Sequence, residues 1–149
     1  MDGSVPVYRC AVFADLMQIS AIESDAFEEP YTYTMLRQLH DFHGEDWLVA
    51  ELNGSIVGYV LTIKASGRAL ILSGAVSKEF RNRGYYSELV NRTLQRNRGH
   101  GVQTFVTARP DNIWAANSYK RAGFSFVERD DRYFGPGEVR DVFEDRSLI

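Results

Sequence analysis

A chain of 149 residues suits one compact domain with a core of its own and is short for two. Its composition, 44% apolar and 25% charged, is globular, and no apolar run nears the ~20 residues that span a bilayer. The net charge of −3 argues against a predominantly basic nucleic-acid-binding domain.

The N-terminus, Met1-Asp2-Gly3-Ser4, lacks the basic-then-apolar pattern of a secretory signal. Tyr8-Arg9-Cys10-Ala11-Val12-Phe13 reads as a first strand, and Cys10 is the only cysteine, so no internal disulfide forms and a reducing, cytoplasmic setting is expected. Asp15 is placed to cap a helix whose Leu16, Ile19 and Ile22 share a face. A second helix carries Met35, Leu36, Leu39 and Phe42 and ends near Gly44. His40 and His43 stand three apart on it, a spacing that suits zinc. With one cysteine and no third ligand pattern, exposure to solvent is the reading, and no metal is expected.

Trp47–Leu52 and Ile56–Leu61 flank Asn53-Gly54, a hairpin signal because both turn residues tolerate positive φ. A turn at Ala65-Ser66-Gly67-Arg68 leads into a strand over residues 69–76. Tyr86, Leu89, Val90, Thr93 and Leu94 follow helical spacing up to Gly99 and Gly101. Thr104–Thr107 is a strand, residues 112–122 a helix, and residues 124–129 and 139–143 two final strands. The order is β-α-α-β-β-β-α-β-α-β-β, a mixed, mostly antiparallel α/β sheet with helices on both faces, in a single domain over residues 1–149.

Charge is unevenly spread along these elements. Residues 1–77 carry four basic and ten acidic side chains (net −6), residues 78–121 nine and three (net +6), and residues 122–149 four and seven (net −3). A polyanionic ligand belongs to the middle block and a cationic one near the ends. Within that block a strand ends at Ala75-Val76, a basic stretch follows, and a helix opens beyond Gly84. Helix N-termini present amide N–H groups and a positive dipole end, which suits phosphate. Lys78, Arg81 and Arg83 add charge, and Gly84 allows close backbone approach. Local composition is equally met by a glycine turn with solvated arginines. No P-loop or G-x-G-x-x-G fingerprint is present.

Arg81, Gly84 and the preceding Ala75-Val76 strand resemble motif A of the GNAT N-acetyltransferases, Arg/Gln-x-x-Gly-x-Gly/Ala. Asn112-x-x-Ala115-x-x-x-Tyr119-x-x-x-Gly123-Phe124 is similar to the family's downstream motif, and the element order above is that of the GNAT fold. Phe27-Glu28-Glu29-Pro30-Tyr31, then Leu36 and Trp47–Ala50, is similar to the bacterial ribosomal-protein alanine N-acetyltransferases. The sequence departs from the motif at Tyr86, where Gly or Ala is usual; the side chain either narrows the pyrophosphate seat or enters the core.

The resemblance implies acetyl-CoA, or another acyl-CoA, held by Ala75, Val76, Arg81, Asn82, Arg83, Gly84, Tyr85, Tyr86, Ser87 and Asn112. It implies that the Val76 N–H binds the thioester carbonyl and that Tyr119 protonates the departing sulfur. Tyr119 could instead pack beside Phe124, and Asn112 could simply cap its helix. In the alanine acetyltransferases a glutamate precedes an arginine by two residues on strand five; here Thr107 precedes Arg109. Threonine can position a water but cannot deprotonate an ammonium, so the base is unassigned. Glu23, Asp25, Glu28, Glu29 and Ser73 are the alternatives, each read as solvated surface. Glu28, Tyr31, Thr107 and Tyr133 would meet the acceptor, with Phe134 extending an aromatic wall.

Three functions follow. The first is transfer of an acyl group to a small amine or a peptide α-amine by a monomer or homodimer. The second keeps the fold with an aminoacyl-tRNA donor, suggested by Arg92, Arg96 and Arg98. The third is a non-catalytic acyl-CoA-binding module, suggested by the missing glutamate. A C-terminal strand over residues 140–149 could pair with another subunit.

Overall fold

The computed structural model describes residues 4–147. Met1, Asp2 and Gly3 of the start read for a signal lie outside the described residues, as do Leu148 and Ile149 at the end of the strand read as a pairing edge. The chain forms two compact units. One comprises the chain up to Ile63 with Leu72–Thr93; the other comprises Lys64–Ile71 with the chain from Leu94.

In the first unit, β1 (Val7–Cys10), β2 (Leu48–Leu52), β3 (Ser55–Ala65) and β4 (Arg68–Val76) hydrogen-bond in that order, β3 and β4 each running on into the second unit. β1 and β2 are antiparallel with Val7 opposite Glu51, and β2 meets β3 antiparallel with an irregularity at Ala50/Glu51. The β2–β3 turn is the expected one, with Asn53 at φ 51° and Gly54 at φ 84°. Helices α1 (Leu16–Ala26) and α2 (Tyr33–His43) complete the unit with the first part of α3 (Tyr85–Gly99).

Its core gathers Leu16, Ile19 and Ile22 of α1, Leu36 of α2, and Trp47, Val49, Tyr59 and Leu61. Each such side chain contributes about 1.5–3 kcal/mol on burial. Trp47 is fully buried, and its indole N–H donates to the Thr62 carbonyl at 2.9 Å.

Several local expectations are corrected here. The first strand stops at Cys10, because the Asp15 carboxylate accepts the Val12 N–H (2.8 Å) and two Arg9 bonds (2.7 and 2.9 Å), bending Phe13–Asp15 into a 3-10 turn. Asp15 therefore does not cap α1 through its side chain. On α2, Met35 and Phe42 are exposed, and the cap is Thr32, whose hydroxyl accepts the Met35 N–H. His40 is no solvated residue: its Nε2 lies 3.2 Å from the Ala11 carbonyl and its ring meets Trp47 edge-on.

In the second unit the order is β4-β5-β7-β6, with β5 (Gln103–Ala108), β6 (Phe124–Asp130) and β7 (Arg140–Asp145). β4 and β5 are parallel from Arg68↔Gln103 to Leu70↔Phe105, and β7 is antiparallel to both β5 and β6. Among the described strands, β7 is thus inserted between its two predecessors. The seven strands are mixed and mostly antiparallel, as expected. Helix α4 (Ile113–Ala122) ends at Gly123, whose φ of 109° makes the left-handed cap.

Candidate active site

The β4–α3 junction of the first unit gathers groups that suit an anionic ligand. β4 ends at Val76, the Ser77 N–H donates to Val57 O at 2.8 Å, and Lys78–Phe80 make a 3-10 turn. Arg81 is extended, whereas Asn82 (φ 65°) and Gly84 (φ 83°) take the left-handed conformation, and α3 starts at Tyr85. The helical ladder begins with the Glu88 N–H on Gly84 O at 3.1 Å. The amides of Tyr85 and Ser87 precede it in the first turn, where the helix itself offers no acceptor. Space is open around the Cα of Gly84, so glycine serves the backbone turn and leaves the helix mouth uncovered.

Two arginines are held at this loop. Arg81 Nε donates to Val76 O at 2.9 Å, and Arg83 lies 5.2 Å over the Phe80 ring with a bond to Glu79 O. Amides, dipole end and guanidiniums converge on one exposed turn, a donor set that fits a pyrophosphate. Tyr86 resolves toward packing. Its ring lies against Gly74 of β4, so the side chain that departs from the motif is turned to the strand while its amide stays in the first turn.

Glu23 overturns its reading as solvated surface. It is 2% exposed, and its carboxylate accepts the Tyr59 hydroxyl (2.7 Å), the Ser73 hydroxyl (2.6 Å) and the Tyr31 N–H (3.0 Å). Ser73 is likewise half-buried. Burial pushes the Tyr59 phenol well above its usual range, and the neighbouring carboxylate adds to the shift, so Tyr59 serves as a donor. The signal was present in the sequence: Glu23 lies four residues after Ile19 and seven after Leu16, on the apolar stripe of α1. Asp25, Glu28 and Glu29 are exposed, as read, and Tyr31 is half-buried.

The second unit carries Thr107, Asn112, Tyr119 and Tyr133. Asn112 Oδ1 accepts the Ala115 N–H at 3.1 Å, so it does cap α4. Tyr119 is 7% exposed, edge-on to Phe124 at 5.7 Å and tilted on Phe143 at 6.0 Å. Thr107 is half-buried on β5, opposite Val142. Tyr133 packs edge-on against Phe134, which Arg140 covers at 4.9 Å.

The arginine block is mostly committed. Arg92 pairs with Glu88 and lies over Tyr8, and Arg98 makes two bonds to the buried Asp145, at 2.7 and 3.0 Å. Burial alone would raise the Asp145 pKa; the bonds from Arg98 and Ser147 outweigh it and hold the carboxyl below the usual range. Among the described residues no group of three His, Cys, Asp or Glu is arranged to hold a metal ion, and no helix is long and apolar enough to cross a membrane.

The Acetyltransferase (GNAT) family matches residues 16–124, and the chain belongs to that family as an N-acetyltransferase. It is 30% identical over 127 residues to an uncharacterized N-acetyltransferase of Methanocaldococcus jannaschii, covering 83% of this chain and 81% of that one. To an N-alpha-acetyltransferase of Sulfolobus acidocaldarius it is 27% identical over 144 residues, or 87% and 86% of the two chains. Ard1 from Thermoplasma volcanium matches in structure with a TM-score of 0.85 at 26% identity, over 94% of this chain and 96% of that one. The Escherichia coli ribosomal-protein-S18-alanine N-acetyltransferase shares the fold, with a TM-score of 0.82 at 18% identity over 93% and 92% of the chains.

Proposed function

We propose that the protein transfers an acetyl group from acetyl-CoA to the α-amine of a peptide or protein N-terminus. The observation that carries the donor is the exposed turn before α3, where the first-turn amides of Tyr85 and Ser87 stand beside two arginines. The acceptor class is supported by relatives named as N-alpha-acetyltransferases.

Arg81–Ser87 hold the pyrophosphate, and Ala75, Val76 and Asn112 hold the pantetheine arm and the thioester. The Val76 N–H binds the thioester oxygen, where charge develops. A C–N bond forms as the C–S bond breaks. The amine loses a proton to a water positioned by Thr107, and Tyr119 supplies one to the sulfur. Glu28, Tyr31 and Tyr133 contact the acceptor, whose positive charge suits the acidic end segments. An RNA-borne donor is not favoured, because Arg92 and Arg98 are occupied by Glu88 and Asp145.

The test pairs thermal unfolding with acetyl-CoA against CoA-thiol release on a panel of peptides with free or blocked α-amines. Stabilisation by acetyl-CoA with turnover of free-amine peptides alone is expected. Turnover of a blocked peptide through a lysine would move the acceptor to side chains. Absence of any stabilisation would remove the donor assignment, and stabilisation without turnover would leave a binding module.

A further inference from the structure

The first unit contains a buried acidic side chain that the reaction above does not use. Glu23 leaves the last full turn of α1 and meets donors from three separate segments: Tyr59 on β3, Ser73 on β4, and the backbone of Tyr31 in the connection between α1 and α2. The two oxygens divide this work unequally. Oε1 takes both hydroxyls, at 2.7 and 2.6 Å, while Oε2 takes the Tyr31 N–H at 3.0 Å. One oxygen therefore fastens α1 to the sheet, and the other fastens the segment between α1 and α2.

That connection, residues 27–32, has no regular structure, carries the exposed Glu28 and Glu29, and spans only six residues. Short irregular segments hold a fixed path only when something orders their backbone. β4 at the same time continues from Ser73 through Gly74 to Ala75 and Val76. Glu23 thus links the segment assigned to the acceptor with the strand assigned to the thioester, two to three residues away from the latter.

We infer that Glu23 is a positioning residue: through Oε2 and the Tyr31 N–H it sets the place of the acceptor-binding segment relative to β4, without touching substrate. The inference rests on the acceptor and donor assignments made above. Its signature is atom-specific. Glu23→Met removes both oxygens and leaves the Tyr31 N–H without its acceptor, whereas a glutamine could turn its oxygen to that N–H and donate to the two hydroxyls. Ser73→Ala and Tyr59→Phe each remove one hydroxyl and leave the Tyr31 bond in place.

The experiment is steady-state kinetics on these three variants, with amide hydrogen exchange at Tyr31. In Glu23→Met the KM for the peptide should rise about tenfold, with kcat and the KM for acetyl-CoA within roughly threefold of the parent, because the Tyr31 N–H has lost its acceptor. Ser73→Ala and Tyr59→Phe should leave the peptide KM within roughly threefold. Equal peptide-KM changes in all three variants, or a fall in kcat alone for Glu23→Met, would overturn the inference.

Exchange covers the cases in which Glu23→Met does not fold or no peptide is turned over. In the unmodified protein the Tyr31 amide should exchange at least tenfold more slowly than those of Glu28 and Glu29. Equal rates would overturn the anchor directly. Slow exchange at Tyr31 in a protein that turns over no peptide would place the failure in the acceptor assignment.

Discussion

The ring carbon Cε1 of Tyr86 stands 2.9 Å from the point where a Cβ on Gly74 would project, so a helix side chain and a bare strand Cα share one packing site. The Tyr59 carbonyl is 3.0 Å from the same point, which closes it from the β3 side. A large residue at the last position of the phosphate motif is accommodated because β4 offers no side chain there.

Gly74→Ala is therefore expected to cost about 1–3 kcal/mol, as overpacking does. Tyr86→Leu should relieve part of that cost, while the Tyr59 carbonyl retains the rest. Denaturant unfolding of the two single variants and the double variant should give a coupling of about 0.5–3 kcal/mol. Strict additivity would mean that the two residues do not share the site.

Gly84 and Gly67 form a matched pair. Both have positive φ, 83° and 77°, and a Cβ on either meets open space. Alanine at each should cost about 1–2 kcal/mol of backbone strain. Only Gly84→Ala should also weaken acetyl-CoA binding, by roughly tenfold in calorimetry, since it alone alters the mouth of α3. An equal loss of affinity from Gly67→Ala would displace the phosphate seat from this loop.

Tyr119→Phe keeps the ring contacts with Phe124 and Phe143 and removes the phenolic proton. Its kcat should fall about 100-fold, within the usual range for one acid–base group. Stability should fall by no more than about 1 kcal/mol. A variant with the parent's kcat would show that Tyr119 is a packing residue.

Asp145 ties an acid-sensitive term to the second unit. Its pKa is lowered in the folded protein, so its contribution is complete above the unfolded value of ~3.9 and is lost as pH falls through the lower folded value. Asp145→Asn should lose about 1–3 kcal/mol at pH 7, less than a fully buried pair because the Arg98 side chain is 34% exposed. Its stability should then decline less steeply than the parent's between pH 5 and 2, measured by urea unfolding at each pH.

What could be read from the sequence was local. Asn53-Gly54 specifies its turn because only residues tolerant of positive φ fit there, and Leu89, Val90, Thr93 and Leu94 mark the buried face of α3 by spacing. The phosphate loop was legible for the same reason: strand end, cations, glycine and helix start are consecutive. Glu23 was missed because its three donors lie 8, 36 and 50 residues away, and one acidic residue on an apolar stripe does not name them. Arg98 was read with Arg92 and Arg96 as a block open to an RNA-borne donor because its partner is 47 residues distant. The insertion of β7 between β5 and β6 is likewise a long-range pairing without a local mark.

That insertion governs how the second unit can form during synthesis. β6 pairs with β7, and β5 receives its antiparallel partner only from β7, so neither ladder can close before residues 140–145 have left the ribosome. Until then β5 and β6 present unpaired backbone on a nascent chain, the condition under which strands pair with the wrong neighbour. β7, made after both of its neighbours, is the strand on which the completion of this unit waits.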